Sequence, residues 1–255
     1  MKKSYKNTTI LVAAAGMATR MGSQELPKAL VRFNGRPLIE WATCAFTPYL
    51  EKMQIVIRKE TIPEFSAYYD NFESKGIHFV YQDKPLGTAY AVRDGLLNID
   101  SEWVLTVWGD HVGASRVRTP EFFSIAESTE ADFYLPMVLR TNPYVYFEVE
   151  KTGGVLRFFE THTGAPRVKE GFSDCGFFLF KKRIVLEFLV KHLSSMPKES
   201  KIEVNFLSLF SEMQKSGIVF SPIFLEDEIL SLGINTAEEI ENLEEKFKQE
   251  NLNGP

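Results

Sequence analysis

Arg20 and Lys28 close the stretch LVAAAGMATRMGSQELPK (11–28), which begins as a buried apolar run and turns on small residues. Gly16 lies just past that run and Ala18 is small, so main-chain N–H groups there can come close to a phosphate. Arg20 would add a planar fork of donors and Lys28 a point charge. Neither common phosphate loop matches. A P-loop needs Lys and Ser or Thr directly after its last glycine, whereas Ser23 and Gln24 follow Gly22, and a dinucleotide fingerprint needs glycine at position 18. Taken alone, the loop reads equally well as a surface turn with two solvated cations.

Two further segments share the chemistry. YQDKPLGTAYAVRDGL (81–96) opens a helix on Gly87-Thr88-Ala89, presenting small residues and free N–H groups. Before it, Gln82 offers a donor and an acceptor to a base edge. VWGDHVG (107–113) places Asp110 directly after a glycine, where a carboxylate faces a crevice or simply caps a turn.

The elements that must carry these residues follow from the hydrophobic pattern. TTILVAAA, MQIVIR, IHFVYQ and WVLTVWGD are strand-length apolar runs separated by the helix-like segments RPLIEWATCAF, TIPEFSAYYDNFESK and GTAYAVRDGLLNI. That alternation predicts βαβ units in a parallel sheet, whose ligands gather at the strands' carboxyl ends. After residue 130, DFYLPMVLR, YVYFEVEK, GVLRFFE and SDCGFFLFK read as strands of a mixed sheet, with a turn at Thr152-Gly153-Gly154. Helices return with RIVLEFLVKHL and VNFLSLFSEMQK. A last strand, ILSLGI, precedes NTAEEIENLEEKFKQ, where Thr236 and Glu239 form a capping box and Ile240, Leu243 and Phe247 one apolar face.

At 255 residues with 44% hydrophobic content, the chain can bury a large core, and one compact domain over 1–255 is the simplest organisation. A net charge of −5 argues against a nucleic-acid partner. The apolar runs are too short to span a membrane, and the basic start MKKSYKNTT leads into a strand rather than a signal peptide, so the expectation is a cytoplasmic protein. Cys44 and Cys175 lack the spacing of a disulfide framework or a zinc site.

Together the three segments resemble the nucleotidyltransferases that join a nucleoside triphosphate to a sugar 1-phosphate, in particular the N-acetylglucosamine-1-phosphate uridylyltransferase domain. That family's L-x-A-A-G-x-G-T-R-M…P-K loop, Q-x-x-x-x-G-T-A-H-A segment and G-D strand end stand here as AAGMATRM with LPK, QDKPLGTAYA and GD. A weaker match runs on through Glu160, SDCGF and GINTAEEIENL. The resemblance implies a Rossmann-like three-layer α/β sandwich with a mixed, mostly parallel central sheet and a smaller acceptor-binding β subregion. Its nucleotide-binding half would be about 1–115 and its acceptor-binding half about 116–255.

By position the resemblance implies that Ala14, Ala15, Gly16, Gln82, Gly87 and Thr88 hold the nucleotide, with Gln82 reading a pyrimidine. It assigns Arg20, Lys28 and Asp110 to catalysis, Asp110 and Asn235 to Mg²⁺, and Glu160 and Asp174 to the acceptor side. The implied reaction transfers a nucleotidyl group from UTP, dTTP or CTP to a sugar 1-phosphate and releases pyrophosphate, a step of nucleotide-sugar and polysaccharide biosynthesis. The match ends near residue 245, so a fused acyltransferase repeat domain is not expected. The sequence departs from the family at Ala18, at Tyr90, at the insertion SQEL, at PYVYF and at Asp174-Cys175-Gly176. The altered acceptor half keeps open a cytidylyltransferase acting on a phosphorylated alcohol, acid or other non-sugar. A glycosyltransferase would carry Asp-x-Asp where Asp110-His111-Val112 stands. Oligomeric state is left open.

Overall fold

The computed structural model describes residues 5–22, 26–70, 75–84, 86–150, 155–161, 164–196 and 203–249. Strands β1 (Thr8–Ala13), β2 (Arg32–Phe33), β3 (Arg36–Pro37), β4 (Lys52–Arg58), β5 (Ile77–Gln82) and β6 (Trp103–Trp108) come first, with helices α1 (Leu38–Thr43), α2 (Ile62–Tyr68) and α3 (Thr88–Leu96) between them. Helix α4 (Thr119–Ser128) follows, then β7 (Phe133–Thr141), β8 (Val145–Val149), β9 (Val155–Glu160), β10 (Glu170–Asp174) and β11 (Phe177–Lys181). Helices α5 (Lys182–Ser194) and α6 (Phe210–Lys215), strand β12 (Phe220–Leu225) and helix α7 (Ala237–Gln249) complete the chain.

The main sheet runs β5-β4-β1-β6-β11-β7-β10-β8-β9, with β12 on the other edge of β7, and β2–β3 is a separate hairpin. Strands β5, β4, β1 and β6 are mutually parallel, whereas β11, β10, β8 and β9 join antiparallel. Alternation with period two sends successive side chains to opposite faces. Ile10 and Val12 of β1 pack with Ile39, Phe65 and Phe122 of α1, α2 and α4, while Leu11 packs with Val92 and Leu189 of α3 and α5. Helices cover both faces, so the three-layer α/β architecture expected from the sequence is present.

Three local readings are corrected. ILSLGI is not a strand: Glu228–Ser231 is a 3-10 turn, whose start Asp227 caps by accepting the Ile229 N–H at 3.1 Å. A strand the apolar pattern had not marked, β12, pairs parallel with β7 instead. SDCGFFLFK is divided at Cys175-Gly176, where Gly176 adopts φ +72, into β10, which pairs with β7 and β8, and β11, which pairs with β6 and β7. The expected turn at 152–154 and most of SQEL lie outside the described residues. Both cysteines are free thiols, Cys175 buried.

Helix α7 is anchored by its predicted face. Phe247 meets Phe33 at 5.2 Å and Trp41 at 5.9 Å between ring centres, both edge to face. Its start is the expected capping box: the Glu239 N–H donates to Thr236 Oγ1 at 3.2 Å and the Thr236 N–H donates to Glu239 Oε2 at 3.1 Å. Thr236→Ala should lower stability by about 1 kcal/mol, seen as a lower urea midpoint at unchanged slope. An unchanged midpoint would mean that Glu239 alone secures the start of α7.

Candidate active site

The loop after β1 folds back on itself. The Ala18 N–H donates to Leu26 O at 3.1 Å and the Lys28 N–H to Gly16 O at 3.0 Å, closing the loop neck so that Lys28 begins a 3-10 turn beneath the end of β1. Gly109 lets the ends of β1 and β6 approach: its N–H donates to Ala13 O at 3.2 Å, and a Cβ there would lie 3.3 Å from both Ala13 O and Ala29 Cβ. Asp110 therefore emerges beside the closed loop. The segment before α7 is laced to the turn after β6, with the Ile234 N–H donating to Asp110 O and the Gly113 N–H to Leu232 O, each at 3.0 Å. This lacing, rather than the last strand expected from the sequence, places Asn235 beside Asp110.

The Lys28 ammonium sits between the two. It ion-pairs with Asp110 Oδ2 and donates to Asn235 Oδ1 at 2.8 Å, across 207 residues of sequence. Burial pushes the Asp110 carboxyl up, but the Lys28 charge and the neighbouring His111 outweigh it and hold the group well below the usual carboxylate range. Because Thr236 is the cap of α7, the Asn235 side chain is free of that duty, while its N–H donates to Glu239 Oε2 at 2.5 Å. A carboxylate oxygen and an amide oxygen thus converge on one cation. That donor set fits Mg²⁺, which takes few protein oxygens and completes its shell with water and phosphate. Among the described residues no cluster of three or more His, Cys, Asp or Glu could hold a metal by itself.

Lys28 and Asn235 line a cavity of about 780 Å³ at the carboxyl ends of β1, β4 and β5. Gly16, Arg20, Lys28, Gln82, Gly87, Thr88, Glu160 and Asn235 all line it, as does Ala15. Gln82 is 5% exposed, and its buried Nε2 has no hydrogen-bond partner. Gly87 has φ +98, and a Cβ there would collide with the carbonyl of Val204. Thr88 Oγ1 accepts from the Phe206 N–H at 2.8 Å, and Asn205 Nδ2 donates to Glu160 Oε1 at 3.0 Å, so the 204–206 segment ties the start of α3 to the end of β9. Arg20 also hydrogen-bonds the half-exposed Tyr144 phenol, whose pKa burial raises while Arg20 opposes the rise.

Three expected residues do not line the cavity. Asp110 is joined to it through its ion pair with the lining residue Lys28. Ala14 is buried, its N–H donating to Val56 O at 2.9 Å. Asp174 is 6% exposed, accepts the Gly176 N–H at 2.9 Å and does not line the cavity; burial raises its pKa, and His111 opposes that. Sequence reasoning passed over Arg58, Glu203 and Asn205, which do line it. Arg58 ends β4, so the rule that ligands gather at strand ends marks it. Glu203 and Asn205 stand in IEVNFL, which carries no motif.

A parallel-cored α/β sheet with its cavity at the strand carboxyl ends, walled by a loop carrying Arg and Lys, is the frame of a nucleotide-binding enzyme. Residues 10–168 match the model of the MobA-like NTP transferase domain, and the chain belongs to that family of nucleotidyltransferases. It is 28% identical over 255 residues to the bifunctional protein GlmU of Caldicellulosiruptor saccharolyticus, an alignment covering 95% of this chain and 52% of that one. The chain spans about half the length of the curated relatives it matches. Its fold is shared with a putative glucose-1-phosphate thymidylyltransferase from Bacillus anthracis (TM-score 0.72, 13% identity, 94% of each chain). It is shared also with the inositol-1-phosphate CTP transferase from T. maritima (TM-score 0.69, 16% identity, 94% of this chain and 96% of that one). No described helix is long and apolar enough to cross a membrane.

The Asp110 pairing sets a pH dependence. A carboxyl held below its unfolded pKa of about 3.9 contributes stability above that value and loses it as the pH falls through the folded pKa. Asp110→Asn should therefore be less stable than the parent at pH 7, with the gap closing from about pH 4 downward. Urea midpoints of both proteins between pH 7 and pH 3 measure this, and a gap that stays constant would remove the pairing as its source.

Proposed function

We propose that this chain transfers a nucleotidyl group from a pyrimidine nucleoside triphosphate to a sugar 1-phosphate, with Mg²⁺, releasing pyrophosphate. The observation that carries the reading is the Lys28 ammonium held by Asp110 and Asn235 at the rim of a cavity that runs from the Arg20 loop to Glu160 and Glu203. Residues 1–255 act in it as one unit, with a cytoplasmic location. Gln82 supplies base selection, because its unpaired Nε2 and its carbonyl oxygen can satisfy a donor–acceptor edge. Glu160, oriented by Asn205, accepts hydrogen bonds from acceptor hydroxyls. The departures from the family pattern at PYVYF and Asp174-Cys175-Gly176 support, as a second reading, a CTP-dependent transfer to a phosphorylated non-sugar.

In the reaction, a phosphate oxygen of the acceptor forms a bond to the α-phosphorus as the bond from that phosphorus to the pyrophosphate oxygen breaks. A phosphate dianion is already nucleophilic, so no base has to remove a proton, and catalysis rests on alignment and charge neutralisation. Arg20 and Lys28 take up the charge of the triphosphate, and main-chain N–H groups near Gly16 orient it. Asp110 Oδ2 and Asn235 Oδ1, which meet at the Lys28 ammonium, would hold Mg²⁺, and the metal would supply charge neutralisation to the phosphates.

A grid of nucleoside triphosphates against phosphorylated acceptors, read by pyrophosphate release, should give turnover for a pyrimidine triphosphate with a sugar 1-phosphate and only with Mg²⁺. Equal rates with ATP, GTP and UTP would remove the role of Gln82, and turnover only with CTP and a non-sugar would select the second reading. Lys28→Ala should cut turnover by a factor of about 100 or more while the far-UV circular dichroism stays native. Near-normal turnover would remove Lys28 from the mechanism.

A further inference from the structure

We propose that His111 is a positioning residue for the Asp110 carboxylate: its imidazole, wedged in place, backs one carboxylate oxygen and leaves the other turned to the point shared with Asn235. The inference rests on the proposed metal-dependent transfer. His111 Nδ1 lies 3.7 Å from Asp110 Oδ1, on the side of the carboxylate away from Lys28, which takes Oδ2. The ring occupies a slot between two glycines from different parts of the chain. A Cβ on Gly176 would run into the ring itself, and a Cβ on Gly233 would lie 2.9 Å from Nδ1 and 3.0 Å from Cε1. Gly176 has φ +72, a conformation that other residues adopt only with strain, so the slot is written into the backbone as well as into side-chain size.

Nδ1 is buried and makes no hydrogen bond in the resting chain. A buried polar atom without a partner is costly unless something else requires it there. Two carboxylates act on the ring, Asp110 at 3.7 Å and the buried Asp174. Asp174 is itself held by the Gly176 N–H at 2.9 Å, which fixes the Gly176 side of the slot. The ring therefore lies where three segments meet: the turn after β6, the break between β10 and β11, and the stretch leading to Asn235. Groups behind a metal ligand orient it, and their loss weakens metal binding roughly 10- to 100-fold.

The test compares the parent protein with His111→Leu, His111→Asn and Gly233→Ala. Mn²⁺ affinity is measured by electron paramagnetic resonance in the presence of UTP without acceptor, alongside the Mg²⁺ concentration for half-maximal pyrophosphate release and the melting temperature. His111→Leu should weaken Mn²⁺ binding about tenfold or more, raise the Mg²⁺ requirement and leave the acceptor KM unchanged. His111→Asn, which returns an N–H near the place of Nδ1, should recover most of the loss. Gly233→Ala keeps the imidazole but pushes it aside, and should shift Mn²⁺ affinity in the same direction as His111→Leu even if the latter does not fold. Parent-like Mn²⁺ affinity in Gly233→Ala, or His111→Asn as impaired as His111→Leu at an unchanged melting temperature, would overturn the positioning role and leave the proposed reaction standing. A parent protein that turns over without any divalent cation would overturn both.

Discussion

A single ammonium group meets a carboxylate and an amide oxygen that the chain supplies from residues 110 and 235, and it comes itself from residue 28. Neither charge is well hydrated, with side-chain exposures of 17% for Lys28 and 26% for Asp110. Charges so placed are tolerated when paired, and removing one partner costs more than the pair contributes. Much of the surrounding structure exists to make that meeting possible. The neck of the β1 loop is tied at Gly16 and Lys28, Gly109 admits the close approach of β1 and β6, and the 232–234 segment is laced to the turn after β6. Phe33, Trp41 and Phe247 then hold α7 against the same corner.

The cavity is lined by charges of both signs: Arg20, Lys28 and Arg58 come from the β1 loop and the end of β4, and Glu160 and Glu203 from the end of β9 and the segment that follows α5. In the proposed reaction the cations meet the polyanionic triphosphate and the carboxylates accept from the hydroxyls of the acceptor. Asn205 ties that segment to the end of β9, because its side chain donates to Glu160 while its Oδ1 accepts the Leu207 N–H at 3.0 Å. The Glu160 carboxylate, which in the proposed reaction meets the acceptor, is thus fixed by a segment that also bonds to Thr88 at the start of α3.

The nucleotide half was legible in the sequence because its signals are local. β5 lies where its apolar run ends, and β1, β4 and β6 differ from their runs only at the margins, since a buried parallel strand is a continuous apolar stretch. Arg20, Lys28, Gln82, Thr88 and Asp110 sit in loops whose place follows from those strands. The later half was less legible, because apolar pattern alone does not say where a strand breaks or which neighbour it takes. ILSLGI has strand composition, yet Asp227 captures the Ile229 N–H and Arg116 at 2.7 Å and turns the chain into a 3-10 corner. The role of Glu203 and Asn205 depends on long-range packing and leaves no periodic trace.

The break at Cys175-Gly176 lies against the same corner of the molecule as the Lys28–Asp110 pair. β10 and β11 run along one edge of β7, but β10 has β8 on its other side whereas β11 has β6. The change of neighbour falls at Gly176, whose carbonyl accepts the Trp108 N–H at 2.8 Å, two residues before Asp110. The change of partner thus lies next to the end of β6, two residues from the carboxylate that holds Lys28. The positive-φ glycine at which the sheet changes partners also shapes the slot holding the His111 ring, so the pairing of the later strands and the surroundings of Asp110 are set at one position.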